Sequence, residues 1–166
     1  MFTMKNRLLF PVGCLFILML SPLSALAGQG WYMGVQNASP NPVTVGGGGT
    51  KDITSHCWYN DNIDQTNTVP AGTTARFYSE QVNSGDCFGT GTAYTHFQLV
   101  TSIETYVLGL NFLKGKCSAE IYKGTALFTS ITLASSCDPS DTQELCYYIS
   151  PTNEVTIKAG ACPTEQ

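Results

Sequence analysis

The sequence predicts an all-β fold: a single antiparallel β-sandwich of about nine or ten strands, stabilised by disulfides, with a closed β-barrel as the alternative. Three observations carry this expectation. Short apolar runs alternate with turn residues at intervals of about ten, the spacing of strands in sandwiches and barrels. Within the runs apolar and polar residues take turns, so one side of each strand faces a core and the other faces water. No stretch after residue 27 shows the 3.6-residue period of an amphipathic helix.

The chain of 166 residues divides into two parts, 1–27 and 28–166. Lys5 and Arg7 precede an apolar block, Leu8 to Leu20, that Pro11 and Gly13 interrupt. Pro22 ends the block, and Ala25-Leu26-Ala27 supplies the small-x-small pattern of a signal-peptidase site. Residues 1–27 are therefore expected to be a signal peptide, and 28–166 a secreted domain. The brief basic start points to a bacterial export signal and to the periplasm or the medium. Cys14 lies ahead of Leu15 to Leu20 rather than behind them, the wrong order for an acylated lipoprotein cysteine. No uncharged apolar stretch after residue 27 approaches the roughly 18 residues of a spanning helix, so no transmembrane segment is expected in the mature chain.

The strands follow in order. Trp31, Met33 and Val35 share one parity, then Asn37 to Pro42 turns the chain into Val43-Thr44-Val45. Gly46 to Gly49 offers no side chain to pack and reads as a loop. Ser55 to Asn60 reads as one strand carrying Cys57, and Val69-Pro70-Ala71-Gly72 as a type II turn. Thr73 to Glu80 alternates, with Ala75 and Phe77 opposed to Arg76 and Tyr78. Tyr94 to Thr101 places Phe97 and Leu99 inward, His96 and Gln98 outward. Thr105 to Leu113 aligns Tyr106, Leu108, Leu110 and Phe112. Ser118 to Lys123 and Thr125 to Ala134 flank Gly124 as a hairpin, with Leu127, Ile131 and Leu133 on one side. Cys146 to Ser150 and Glu154 to Ala159 complete the set.

Seven cysteines include Cys14 in the export segment. The remainder, Cys57, Cys87, Cys117, Cys137, Cys146 and Cys162, are an even set in an exported chain and read as three disulfides. Sequence allows 15 pairings; separation along the chain favours Cys57–Cys87, Cys137–Cys146 and Cys117–Cys162. No Cys-x-x-Cys motif marks a redox pair, and no two cysteines have zinc-finger spacing.

Charge and motifs narrow the function classes. Formal charge is −4, and removal of Lys5 and Arg7 makes the chain more acidic, which disfavours nucleic acid as a partner. His56 and His96 are the only histidines, no Gly-x-Ser-x-Gly elbow is present, and His96 falls on the polar parity of its strand. The stretch Asn60 to Asn67 is rich in oxygen ligands but departs from EF-hand spacing, and Asp138 and Asp141 form a similar acidic loop. No metal or cofactor is expected, and no catalytic residue is nominated. The sequon Asn37-Ala38-Ser39 is weakened by Pro40.

Aromatic doublets remain: Trp31-Tyr32, Trp58-Tyr59 and Tyr147-Tyr148. Adjacent strand residues point to opposite faces, so each doublet sends one ring outward. Outward aromatics combine rigid area with a polar tip, which suits ligand contact; the plainer alternative is that they pack under loops. These six residues are the candidate contacts. The expectation is an exported, disulfide-stapled, noncatalytic binding or interaction protein whose ligand is a protein, a glycan or a lipid surface. A small membrane-active β-sandwich toxin and a secreted inhibitor or immunity protein are the alternatives, with a hydrolase less favoured.

Overall fold

Strand alternation fixes which side of each strand is buried, and the computed structural model shows two sheets meeting on those sides. It describes residues 30–47, 55–60, 63, 65–82, 85–87, 91–134, 137 and 142–163. The expected signal peptide, 1–27, lies outside them. The strands are β1 (Gly30–Asn37), β2 (Val43–Gly46), β3 (Ser55–His56), β4 (Trp58–Asn60), β5 (Asn67–Val69) and β6 (Thr73–Gln81). They continue with β7 (Thr92–Val100), β8 (Thr105–Leu113), β9 (Lys116–Lys123), β10 (Ala126–Ala134), β11 (Gln143–Ile149) and β12 (Val155–Ala159).

One sheet has five strands in the order β12-β11-β1-β6-β4. The other has seven, β10-β9-β8-β7-β2-β5, with β3 also paired to β7. Neither closes on itself, so the architecture is a sandwich and not a barrel. It exceeds the expected strand number because β3, β4 and β5 are only two or three residues long, too short for alternation to reveal. The expected single strand over 55–60 is in fact two. Cys57 takes φ 53, a left-handed turn that hands the chain from β7 in one sheet to β6 in the other. A second correction concerns direction. β1 and β11 pair in parallel, because the long excursion through the seven-stranded sheet returns the chain to β1 in its own sense.

The core lies between the sheets. From the five-stranded side come Trp31, Met33, Val35, Trp58, Phe77, Leu145, Tyr147 and Ile149, all buried. Val43, Val45, Val69, Phe97, Leu99, Tyr106, Leu108, Leu110, Ala119 and Ile121 meet them. The parities read from β1, β6, β7 and β8 all hold. On β10 they do not hold throughout: the register to β9 shifts between Leu127 and Thr129 and again between Thr132 and Ala134. Leu127, paired with outward Tyr122, is thereby exposed instead of sharing the side of Ile131.

Loops also carry structure the sequence concealed. Ile63, inside the polar stretch 60–67, is buried. Gly46 ends β2 at φ 118, and a Cβ there would lie 2.1 Å from the Gln65 carbonyl oxygen. The glycine is thus required by close backbone approach, not merely by a loop. The expected type II turn moves one residue on: Thr73 N–H donates to the Pro70 carbonyl, with Gly72 at φ 71. Asn37 ties this turn to β1. Its Nδ2 donates to the carbonyls of Asn41, Val69 and Pro70, and its Oδ1 accepts from Ser39 N–H and Oγ–H. The sequon amide is therefore enclosed.

Candidate functional site

Each aromatic doublet splits as strand geometry requires. Trp31, Trp58 and Tyr147 turn inward and are buried. Trp31 and Trp58 pack with ring centroids 5.2 Å apart, and the Trp58 indole N–H donates to Ser79 Oγ. Tyr147 meets Phe97 edge-on at 6.3 Å. Its hydroxyl has no hydrogen-bond partner among the described residues. Burial pushes the Tyr147 hydroxyl far above the usual tyrosine range, with the Glu120 charge adding to the rise. These three of the six nominated contacts belong to the interior, out of reach of a surface ligand.

Tyr32, Tyr59 and Tyr148 turn outward, and β1, β4 and β11 all belong to the five-stranded sheet. Three separate doublets therefore deliver their outer rings to one surface. Register sets their neighbours. Tyr32 lies between Tyr78 on β6 and Glu144 on β11. Tyr59 stands opposite Glu80, and Tyr148 lies between Gln36 and Thr156. The Tyr32 and Tyr78 rings sit 5.0 Å apart. Arg76 places its guanidinium 4.1 Å from the Tyr32 ring centroid and 2.9 Å from Glu144 Oε1. That ion pair is solvent-exposed, 60% and 37% for its two side chains. It adds at most about 1 kcal/mol of stability, so its consequence is to orient Arg76 across the ring. Tyr59 is 61% exposed.

The C-terminal segment crosses this face. After β12, Gly160 at φ 89 reverses the chain and donates its N–H to the Glu144 carbonyl. Cys162 then bonds Cys146, on the outward side of β11. Beneath the bridge lies Gly34, the register partner of Cys146; a Cβ there would come within 2.4 Å of Cys162 Sγ. Two shallow pockets flank this strap. One, about 260 Å³, is lined by Gly34, Thr74, Arg76, Glu144, Ala161 and Cys162. The other, about 230 Å³, is lined by Gln36, Cys146, Tyr148, Lys158 and Pro163.

The other bridges are Cys57–Cys87 and Cys117–Cys137. The first agrees with the sequence reading; Cys137–Cys146 and Cys117–Cys162 are overturned. Cys117 and Cys137 are brought together by the β9–β10 hairpin, whose register places Cys117 opposite Ala134, three residues before Cys137. Cys146 has the opposite parity from Leu145 and Tyr147, hence faces away from that pair. Sheet register overrides separation along the chain. On the chain-entropy estimate the three bridges contribute about 3.7, 3.3 and 3.1 kcal/mol in chain order.

Both histidines lie on the outer face of the seven-stranded sheet. Rings follow one another from His56 to Tyr94 at 5.7 Å, Tyr94 to His96 at 5.6 Å and His96 to Tyr122 at 5.9 Å. The Tyr122 hydroxyl donates to Glu120, and its pKa is pushed up to about 12, first by burial and then by that carboxylate. No group of three or more His, Cys, Asp or Glu side chains that could hold a metal occurs among the described residues. Asp61, Asp64, Asp138 and Asp141 lie outside them. Among the described residues no helix is long and apolar enough to cross a membrane. No family model, curated protein or solved structure matches the chain.

Sequence reasoning missed Tyr78, Arg76, Glu144 and Gly34 as parts of one surface. The outward parity of Arg76 and Tyr78 was available, but only the β6-β1-β11 register sets them beside Tyr32.

Proposed function

We propose that this chain is an exported, noncatalytic binding protein whose ligand rests on the outer face of the five-stranded sheet. The observation that carries the reading is the delivery of Tyr32, Tyr59 and Tyr148 from three distant segments to that one face. Tyrosine and arginine are the residue types enriched where proteins bind partners, because they offer large area with few rotatable bonds and a polar tip. Tyr32, Tyr78 and Arg76 hold one another in place, which lowers the ordering cost of binding. Three intramolecular disulfides are consistent with an oxidising compartment, the destination expected from residues 1–27.

The test is amide chemical-shift mapping of the mature protein against three probes in turn: neutral oligosaccharides, phosphatidylcholine vesicles, and the exported protein fraction of the source cell. Binding by one probe should move amides around Tyr32, Arg76 and Tyr148, and Tyr59→Ala with Tyr148→Ala should weaken it at least tenfold without changing the unfolding midpoint. Shifts confined to the seven-stranded sheet would refute the assignment.

A further inference from the structure

Of the six bridged cysteines, Cys162 stands apart in what holds it. Cys57 lies between β3 and β4, and its carbonyl accepts from Val82 N–H. Cys87 ends a short 3-10 turn, Gly85–Cys87. Cys117 and Cys146 sit inside β9 and β11, and Cys137 N–H donates to the Gly115 carbonyl. Cys162 lies beyond the last such tie, the bond from Gly160 N–H to the Glu144 carbonyl. Past it, no hydrogen bond holds residues 161–163 among the described residues. Ala161 and Pro163 are exposed and Cys162 is half-buried, whereas Cys117 and Cys137 are buried. The bridge to Cys146 is thus what keeps the strap over Gly34. Backbone structure holds the other two pairs within reach whether or not their sulfurs are joined.

We infer that Cys146–Cys162 is a redox latch: exchange with a dithiol opens it ahead of the other two bridges, lifts residues 161–163 off Gly34 and joins the two flanking pockets into one groove. As regulation of binding, this rests on the proposed role of that face; the latch itself does not. Exchange begins at Cys162, the partly exposed sulfur, since Cys146 is buried. A thiolate of the dithiol bonds to Cys162 Sγ, and the bond between the two cysteines breaks with its electron pair on Cys146 Sγ, which takes a proton. The second thiol of the reagent then closes the reagent's own disulfide and expels Cys162 as a thiolate, which is protonated in turn. Two electrons and two protons reach the chain, and the dithiol leaves as a disulfide. The freed tail then holds Cys162 at low effective concentration near Cys146, which opposes reclosure. The floor suits this change. Gly34 has Arg76 on one side and Cys146 on the other. With no side chain of its own, it leaves no wall between the pocket at Arg76 and Glu144 and the pocket at Gln36 and Tyr148 once the strap has lifted. The strands keep their partners, because the strap begins after β12.

Dithiothreitol titration of the mature protein, followed by alkylation and mass spectrometry, reads the order of opening. Cys146 and Cys162 should be labelled at a roughly tenfold lower dithiol concentration than the other bridged cysteines. Relaxation of amide signals by a soluble gadolinium chelate then reads the strap. Gly34 and Gln36 should become accessible to the chelate on opening, and equally in Cys146→Ser/Cys162→Ser without reductant. Neutral oligosaccharides and phosphatidylcholine vesicles are next titrated into both forms, and one of these probes should bind the open form roughly tenfold more tightly or better. Earlier labelling of Cys57, Cys87, Cys117 or Cys137 would overturn the latch, as would a Gly34 still shielded after opening; the dithiol arm decides this even where the variant fails to fold. Equal or weaker binding by the open form would overturn the regulation. Binding of neither probe to either form would overturn the role of the face and its regulation together, while early labelling and an uncovered Gly34 would still establish the latch.

Discussion

Gly34→Ala probes the strapped face most sharply. The added methyl would stand 2.4 Å from Cys162 Sγ and 3.2 Å from Cys162 Cβ, well inside van der Waals contact. The bridge cannot slide away, because Cys146 is fixed on β11 beside β1. Overpacking of this kind costs about 1–3 kcal/mol. Lower freedom of alanine in the unfolded chain offsets about 0.4–1 kcal/mol of that. The net expectation is a loss of about 1–2 kcal/mol in the oxidised protein, or roughly 4 °C per kcal/mol for a domain of this size. The same substitution in a Cys146→Ala/Cys162→Ala background meets a tail free to move aside. There it should be neutral or stabilising by up to about 1 kcal/mol, which makes the coupling about 2 kcal/mol. Urea unfolding of the four proteins, read as midpoints at constant slope, measures the cycle. An equal cost in both backgrounds, or a gain in the oxidised protein, would refute the placement of Cys162 over Gly34.

Asn37→Ala removes a buried amide that serves three carbonyls and Ser39; calorimetry should show a loss of about 2–4 kcal/mol, against less than about 0.5 for Asn41→Ala. Tyr147→Phe deletes a buried hydroxyl without a partner among the described residues and should leave stability unchanged or raise it by about 1 kcal/mol in urea titration. In the folded chain Tyr122 and Tyr147 are both held above the ordinary tyrosine pKa of about 10. Their stabilisation is complete below pH 10 and declines as pH rises through the folded values, so Tyr147→Phe should blunt alkaline unfolding followed at 295 nm. Lys114 and Gly115, at φ 49 and 77, form the two-residue β8–β9 turn; Lys114→Asn should add about 0.5 kcal/mol and Gly115→Ala remove about 1.

What could be read from the residues was whatever depends on local alternation. The inward sets Trp31-Met33-Val35 and Tyr106-Leu108-Leu110-Phe112 announce their burial through a two-residue period alone. Splitting of the three doublets into one buried and one outward ring follows from the same period. That the outward rings share one face does not, since it depends on β1, β4 and β11 falling in the same sheet. Disulfide partners depend on register as well: the β9–β10 hairpin sets Cys117 opposite Ala134, within reach of Cys137 three residues on, and the outward parity of Cys146 leaves it for Cys162. Cys57 hid a change of sheet because one residue at positive φ leaves no mark on hydrophobic pattern. Ile63 was obscured by its polar neighbours, and Gly46 by the glycines that follow it.

Peptide mapping of the unreduced mature protein by mass spectrometry bears most directly on the strap that shapes the proposed binding face. Linked fragments joining Cys57 to Cys87, Cys117 to Cys137 and Cys146 to Cys162 are expected. A fragment joining Cys137 to Cys146, or free thiols at Cys146 and Cys162, would contradict it.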